Sequence, residues 1–117
     1  MAFFTWFTSI AAGGSANPLD ISGSTWKYNR LPWPSTVEVM SQTTGTGVVL
    51  RITSGSDEIM QESPIHGSGV ANALPARLSV EPVTWQGDAG DVVQLQYRNT
   101  SAGTLVVAGT IEITKRG

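Results

Sequence analysis

The chain has 117 residues, with seven Lys and Arg against nine Asp and Glu, one His and no Cys. Charged residues make up only 14% of it, well below the usual quarter of a soluble domain. The scattered cations and the net charge of −2 argue against nucleic acid as a partner, because phosphate binding needs clustered cations. The lack of cysteine excludes disulfide frameworks and zinc ribbons, and no run approaches the roughly 20 apolar residues that cross a bilayer. We therefore expect one domain with no cofactor, nucleic acid or membrane among its partners.

The opening segment, MAFFTWFTSI, has no charge and is rich in large apolar side chains. These side chains occupy both parities of a strand, so the segment needs a cover on each side, and a lone sandwich offers one. Gly13, Gly14 and Ser15 follow it as a hinge. We expect residues 1–18 to be an arm and hinge that bind a partner, and residues 19–117 to be a single β-sandwich domain. The alternative is that the segment covers the core of its own sandwich. The expected partner-binding anchors are Phe3, Phe4, Trp6, Phe7 and Ile10.

A second group of aromatic residues follows in DISGSTWKYNRLPWPS. Its two prolines, Pro32 and Pro34, bracket Trp33, force extended backbone and prevent pairing in the middle of a sheet. We expect a short edge strand near residues 25–29 and then an irregular crossing. Trp26 and Trp33 are the expected secondary anchors for a partner.

From Thr36 onward, apolar and polar residues alternate in short runs that Gly-rich turns separate. In the last run, TLVVAGTIEITK, Leu105, Val107 and Ile111 share one face, with Gly109 between them. Apart from one possible helical turn near residues 70–74, nothing indicates a helix. About seven or eight strands with frequent turns predict an all-β, antiparallel β-sandwich. Jelly-roll and immunoglobulin-like topologies both fit, and the missing Cys…Trp…Cys spacing favours the jelly roll.

The sequence offers little for catalysis or metal binding. His66 is the only histidine, and no nucleophile elbow accompanies it. Asp88 and Asp91 in GDAGD are the best calcium candidates, but Gly-Asp pairs between strands are first of all turn formers. Glu58 and Glu62 share one face of one strand, which indicates a solvated face rather than the facing carboxylates of a glycosidase. We therefore predict no catalytic residue, no metal site and no enzyme.

An alternative function uses the tryptophans. Trp side chains have a flat apolar face and a polar N–H, which suits stacking on a sugar ring. Trp33 and Trp85 are the candidates for such a platform in a carbohydrate-binding module or a receptor-binding fibre tip. Packing of the aromatic crossing onto the sandwich explains the same residues equally well.

The segment GVVLRITSGSDEIMQESPI, with a Gly-rich loop and then DVVQLQYRNTSAGTLVVAGTIEI, resembles small jelly-roll head decoration, or cement, proteins of tailed bacteriophages. The resemblance covers residues 47–113 and lies in the style of strands and turns. It implies a homotrimer on the exterior of a virion capsid, bound to adjacent subunits of the major capsid protein, without catalytic residues. The expected function is non-enzymatic stabilisation of a phage head, with the apolar arm lying across a capsid or sister subunit.

Overall fold

The fold is known from a computed structural model, which describes residues 2–21, 24–25, 30–67 and 82–115. Within these ranges all regular secondary structure is β-strand, and no helix is long and apolar enough to cross a membrane. The strands are β1 (Ala2–Ile10), β2 (Ser15–Ala16), β3 (Asp20–Ile21), β4 (Ser24–Thr25), β5 (Ser35–Thr43), β6 (Val48–Ser54), β7 (Asp57–Pro64), β8 (His66–Gly67), β9 (Val83–Gly87), β10 (Val93–Asn99) and β11 (Leu105–Lys115).

Two sheets contain all of the longer strands. In the first sheet, β1 pairs with β11 and β11 with β5, all antiparallel. Two shorter strands lie along the other side of β5, with β9 antiparallel beside one part and β8 parallel beside Gln42 and Thr43. The second sheet has the order β2-β10-β6-β7, again antiparallel, and β3 pairs only with β4.

The two sheets share one hydrophobic core. The pleat of β10 shows how the sequence builds it: Val93, Leu95 and Tyr97 are buried, while the residues between them are exposed. A strand turns successive side chains to opposite faces, so period-two alternation buries one face and leaves the other in water. Val37 on β5 and Ile111 on β11 close the core from the first sheet. The prediction of an all-β, antiparallel β-sandwich is confirmed.

Some sequence predictions fall outside the described residues. The possible helical turn near residues 70–74 is one of them, and so is the aromatic anchor Trp26. One of the alternating runs after Thr36, RLSVEPVTW, is described only from residue 82, and β9 begins within it.

The predicted N-terminal arm is corrected by the structure. β1 pairs with β11 along its whole length, from Ala2 opposite Ile113 to Ile10 opposite Leu105. The predicted hinge is a tight turn in which the Gly14 N–H donates to the Ala11 carbonyl at 2.9 Å, and it leads directly into β2 of the second sheet. Residues 2–16 thus contribute strands to both sheets, and the boundary placed at residue 18 does not separate an arm from a domain. The reason is that β11 presents a full-length edge on which an uncharged strand can pair and bury one face.

Candidate functional site

The outer strand of the first sheet, β1, has two very different faces. Its inward face carries Trp6 and Ile10, which are 5% and 3% exposed, together with the half-buried Phe4. Its outward face carries Phe3 and Phe7, which are 57% and 49% exposed and are the large hydrophobic residues that the described part of the chain leaves in solvent. The five predicted anchors are therefore divided. Trp6 and Ile10 belong to the core of their own protomer, whereas Phe3 and Phe7 are the exposed candidates.

A glycine makes room for the Trp6 ring. Trp6 lies opposite Gly109 of β11, and a Cβ atom at residue 109 would lie only 2.3 Å from Cζ2 of the indole. No side chain fits there, because real Cβ atoms do not approach other heavy atoms so closely. The absence of a side chain at Gly109 therefore lets the Trp6 ring pack directly against the backbone of β11.

The Trp6 ring also contacts the second sheet. Its ring centroid lies 6.0 Å from that of Phe4 and 6.4 Å from that of Tyr97 on β10, both in tilted geometry. Tilted aromatic pairs at such distances add stabilisation beyond that of area burial. These contacts connect β1 to the core of both sheets.

Below this aromatic group, a hydrogen bond joins the two sheets. The hydroxyls of Tyr97 on β10 and Ser41 on β5 lie 2.6 Å apart, and both residues are buried. Burial raises the pKa of Tyr97 well above its usual range, and the hydrogen bond to Ser41 offsets only part of this effect. Tyr97 is therefore neutral at physiological pH and acts as a structural contact.

The end of β1 is fixed by Asn99, a residue that the sequence reading did not identify as structural. The Asn99 Nδ2 group donates to the carbonyls of Ile10 and Gly103, each at 2.8 Å, and its Oδ1 accepts from the Ser101 backbone N–H at 2.9 Å. The side chain is completely buried. The available signal was an Asn at the start of the Asn-Thr-Ser-Ala-Gly turn, where Asn typically bonds the backbone.

The free side of β1 forms the candidate site. Among the described residues, β1 has a strand neighbour on one side only, and its pairing with β11 is regular from end to end. Residues 2–10 include no charge and no proline. An edge strand of this kind presents unpaired N–H and C=O groups and favours pairing with another strand. We call the outward side chains Phe3, Thr5 and Phe7 the aromatic strip.

The neighbours of the aromatic strip on β11 are small or polar. Ala108 lies opposite Phe7, Thr110 opposite Thr5, and Glu112 opposite Phe3. Ala108 and Thr110 are themselves buried, whereas Phe3 and Phe7 keep about half of their surface in solvent. This geometry suits contact with another protein, because aromatic side chains are enriched and charged ones depleted at the centres of interfaces.

The remaining aromatic candidates are less accessible. Trp85 is 8% exposed and belongs to the core, so its expected use in stacking on a sugar is corrected. Trp33 is half-buried and packs against the core, and its carbonyl accepts a hydrogen bond from the Ser35 hydroxyl at 2.7 Å. Of the two proposed stacking residues, only Trp33 keeps an accessible surface.

A shallow polar pocket of about 310 Å³ lies between β2 and β10. Its described lining consists of small or uncharged side chains, which supply hydrogen bonds without a titratable acid or base. They are Ser15, Ala16, Asn17, Gln94 and Gln96.

The carboxylates of β7 form ion pairs on the outer face of the second sheet. Glu58 Oε1 lies 3.2 Å from Arg51 Nε, and Glu62 pairs with Arg98. Hydrogen bonding to the Arg98 guanidinium lowers the pKa of Glu62. All four side chains are exposed, as the prediction of a solvated face requires.

The GDAGD segment is a turn in the structure. The Asp88 backbone N–H donates to Asp91 Oδ2 at 3.0 Å, and Gly90 has φ +90°, where glycine is favoured. Within the described ranges, no three His, Asp or Glu side chains come together in a group suited to a metal ion. The backbone of His66 lies in β8, next to Gln42 of β5.

Comparison with known proteins adds no assignment. Neither the models of known protein families nor the curated proteins contain a match for this chain. The function must therefore be argued from the geometry of β1 and its surroundings.

Proposed function

We propose that the protein is a non-enzymatic virion structural protein, which decorates the capsid exterior of a phage head and stabilises it by binding adjacent subunits of the major capsid protein. The observation that carries this proposal is the exposure of Phe3 and Phe7 on an uncharged edge strand. Exposed aromatic rings on one face of an edge strand often mark an interaction site, because large apolar side chains are stabilised when a partner removes them from water. A capsid subunit that covers the aromatic strip removes these rings from water.

The strand order supports a jelly roll as the scaffold. Without the two-residue strands β3, β4 and β8, the sheets have the orders β1-β11-β5-β9 and β2-β10-β6-β7. In this sequence of eight strands the first pairs with the eighth, the second with the seventh, the third with the sixth and the fourth with the fifth. Such nested pairing is what two Greek keys wound into one jelly roll require, and this architecture is common in viral capsid and lectin domains. Because folds host many functions, the aromatic strip carries the proposal and the fold only agrees with it.

The homotrimer implied by the resemblance to decoration proteins remains part of the proposal. Three aromatic strips held in one assembly would bind the head together, so that modest single contacts add up to stable attachment. The contact itself needs no catalytic group.

The proposal is tested by co-sedimentation with phage heads that lack the protein. The double substitution Phe3→Ser and Phe7→Ser removes both exposed rings, and we expect at least a tenfold loss of affinity for heads. The control is Gln94→Ser with Gln96→Ser, two exposed side chains on the outer face of the second sheet. The control should bind like the parent. Unchanged binding of the Phe3 and Phe7 variant, with its fold intact, would rule out the aromatic strip as the head-binding site.

A further inference from the structure

We propose that two copies of the chain join edge to edge along β1, antiparallel about a two-fold axis at Thr5, and form one continuous sheet. The inference deepens the proposed function, because the paired copies would present four exposed rings on one face where a single copy presents two. It rests on three features of β1: its open backbone edge, its lack of charge and the symmetric order of its side chains.

The first feature is the backbone edge. Among the described strands β1 has a neighbour on one side only, so its N–H and C=O groups on the other side have no strand partner there. A second β1 running in the opposite direction offers the same groups in reverse order. Two identical edges are therefore complementary to each other, and the contact closes after two copies because it is isologous.

The second feature is the charge. A two-fold axis brings like residues close together, so any charge near it meets its own copy. Residues 2–10 carry none, and like charges directly opposite each other would destabilise a strand pair. Two copies of β1 can therefore pair without like-charge repulsion, whereas a charged partner strand would find no opposite charge on β1.

The third feature is the order FFTWF, in which aromatic residues lie symmetrically on both sides of Thr5, with Phe at both ends and Phe4 matched by Trp6. With the axis at Thr5, Phe3 of each copy lies opposite Phe7 of the other, and the two Thr5 side chains face each other. On the inward face, Phe4 lies opposite Trp6 of the second copy. Aromatic pairs and Thr–Thr pairs are among the favourable cross-strand neighbours in antiparallel sheets.

Neighbouring registers do not give this match. An axis at Phe4 would place Phe3 opposite Thr5, and an axis at Trp6 would place Phe3 opposite Ser9 and Thr5 opposite Phe7. Residues that lie opposite each other must point to the same face of the continuous sheet. The two-fold axis must therefore pass through a residue, not between two residues. Among these, the axis at Thr5 alone sets every ring of the aromatic strip opposite another ring.

The contact is limited to one strand pair. Stable interfaces bury about 1,200–2,000 Å², and a single strand pair reaches at most the lower end of this range. We therefore expect a reversible dimer whose population rises with protein concentration. The homotrimer of the proposed function would then need a second surface, separate from β1.

The test uses opposite charges at the axis. Thr5→Lys and Thr5→Glu each place two like charges face to face, so each variant alone should associate at least tenfold more weakly than the parent in analytical ultracentrifugation. A one-to-one mixture of the two variants should regain association, because the substituted side chains then face each other with opposite charge. Gln61→Lys, at an exposed position of β7, is the control and should behave like the parent.

Three outcomes would overturn the inference: a parent that stays monomeric at millimolar concentration, a control as weak as the Thr5 variants, or a mixture that does not recover. Thermal unfolding of dilute samples checks that the variants fold. If they do not, Phe3→Ser, at a largely exposed ring, should weaken the same association. Head binding is measured separately: a dimer that ignores heads refutes only the proposed function, and a monomer that binds heads refutes only the pairing.

Discussion

Two of the outer strands, β1 and β7, present very different edges to solvent. β7 carries Asp57, Glu58 and Glu62, ends at Pro64, and its pairing with β6 is interrupted by register shifts around Ile52. Charges, prolines and bulges are the devices by which natural proteins keep a sheet edge from pairing with another chain. β1 has none of them over nine residues, and its ladder is regular. The difference indicates that the β7 edge is protected against association and that the β1 edge is open to it.

The two strands are also attached differently. β1 is held by core contacts, since Trp6 packs over Gly109 and against Tyr97. β7 is attached to the second sheet partly by exposed ion pairs between side chains. One of them joins Glu62 of β7 to Arg98 of β10. Exposed ion pairs contribute little to stability, whereas disturbed core packing costs much more. Substitutions at the two edges should therefore differ in size.

The largest effect is expected where β1 is seated. In Gly109→Ala, the new methyl group would lie within 2.3 Å of the Trp6 ring, so the indole or β11 must shift. Such overpacking typically lowers the free energy of unfolding by about 1–3 kcal/mol. The matched control is Gly103→Ala, where the added Cβ would have no heavy atom within 4 Å apart from those of its chain neighbours. Urea unfolding measures the stability of both variants. Equal unfolding midpoints would contradict the packing of the Trp6 ring on Gly109.

A smaller effect is expected below the Trp6 ring. Tyr97→Phe leaves the buried Ser41 hydroxyl without its partner, which should lower the free energy of unfolding by about 1–2 kcal/mol at neutral pH. Burial raises the pKa of Tyr97, so the unfolded chain loses the phenolic proton at about pH 10 while the folded chain keeps it. The parent should lose stability above that pH, and its advantage over the variant should shrink. Urea unfolding between pH 7 and strongly alkaline pH follows both, and a difference that does not change with pH would refute the buried neutral phenol.

The smallest effect is expected on β7. In Glu62→Gln the exposed ion pair with Arg98 is lost, and the unfolding midpoint should move less than in either core variant. Because Arg98 lowers the pKa of Glu62, the pair stabilises the fold above the ordinary carboxyl pKa of 4.5 and stops doing so as the pH falls through the lower folded value. The parent and the variant should converge in acid and in high salt. A shift as large as that of Gly109→Ala would mean that β7 is held by more than surface contacts.

The sequence predicted the strands well and the role of the first strand poorly. Alternation in β10 was clear, because one face of the strand is buried and the other is exposed. In β11 the residues from 107 to 111 are all buried, so its apolar alternation in the sequence is not matched by alternating exposure. In β1 the alternation is hidden, since Phe3 and Phe7 are as apolar as the buried Trp6. The segment was therefore interpreted as an arm.

The missing information was the long-range pairing. Residues 2–10 meet residues 105–113, and nothing local in either segment encodes that register. The inward side chains of β11 are large except at Gly109. This glycine was the available sign that a bulky ring lies opposite it. For the candidate site, the sequence predicted Phe3 and Phe7 among five partner-binding residues, and their exposure became known only with the register of β1.

The most direct test of the open edge is amide hydrogen exchange of the full chain at low and high protein concentration. Amides of β1 that point away from β11 should exchange quickly in dilute protein and become protected as copies pair, while amides of β7 should exchange at the same rate at both concentrations. Protection of β1 that does not depend on concentration, or a change confined to β7, would contradict the assignment of β1 as the edge that associates.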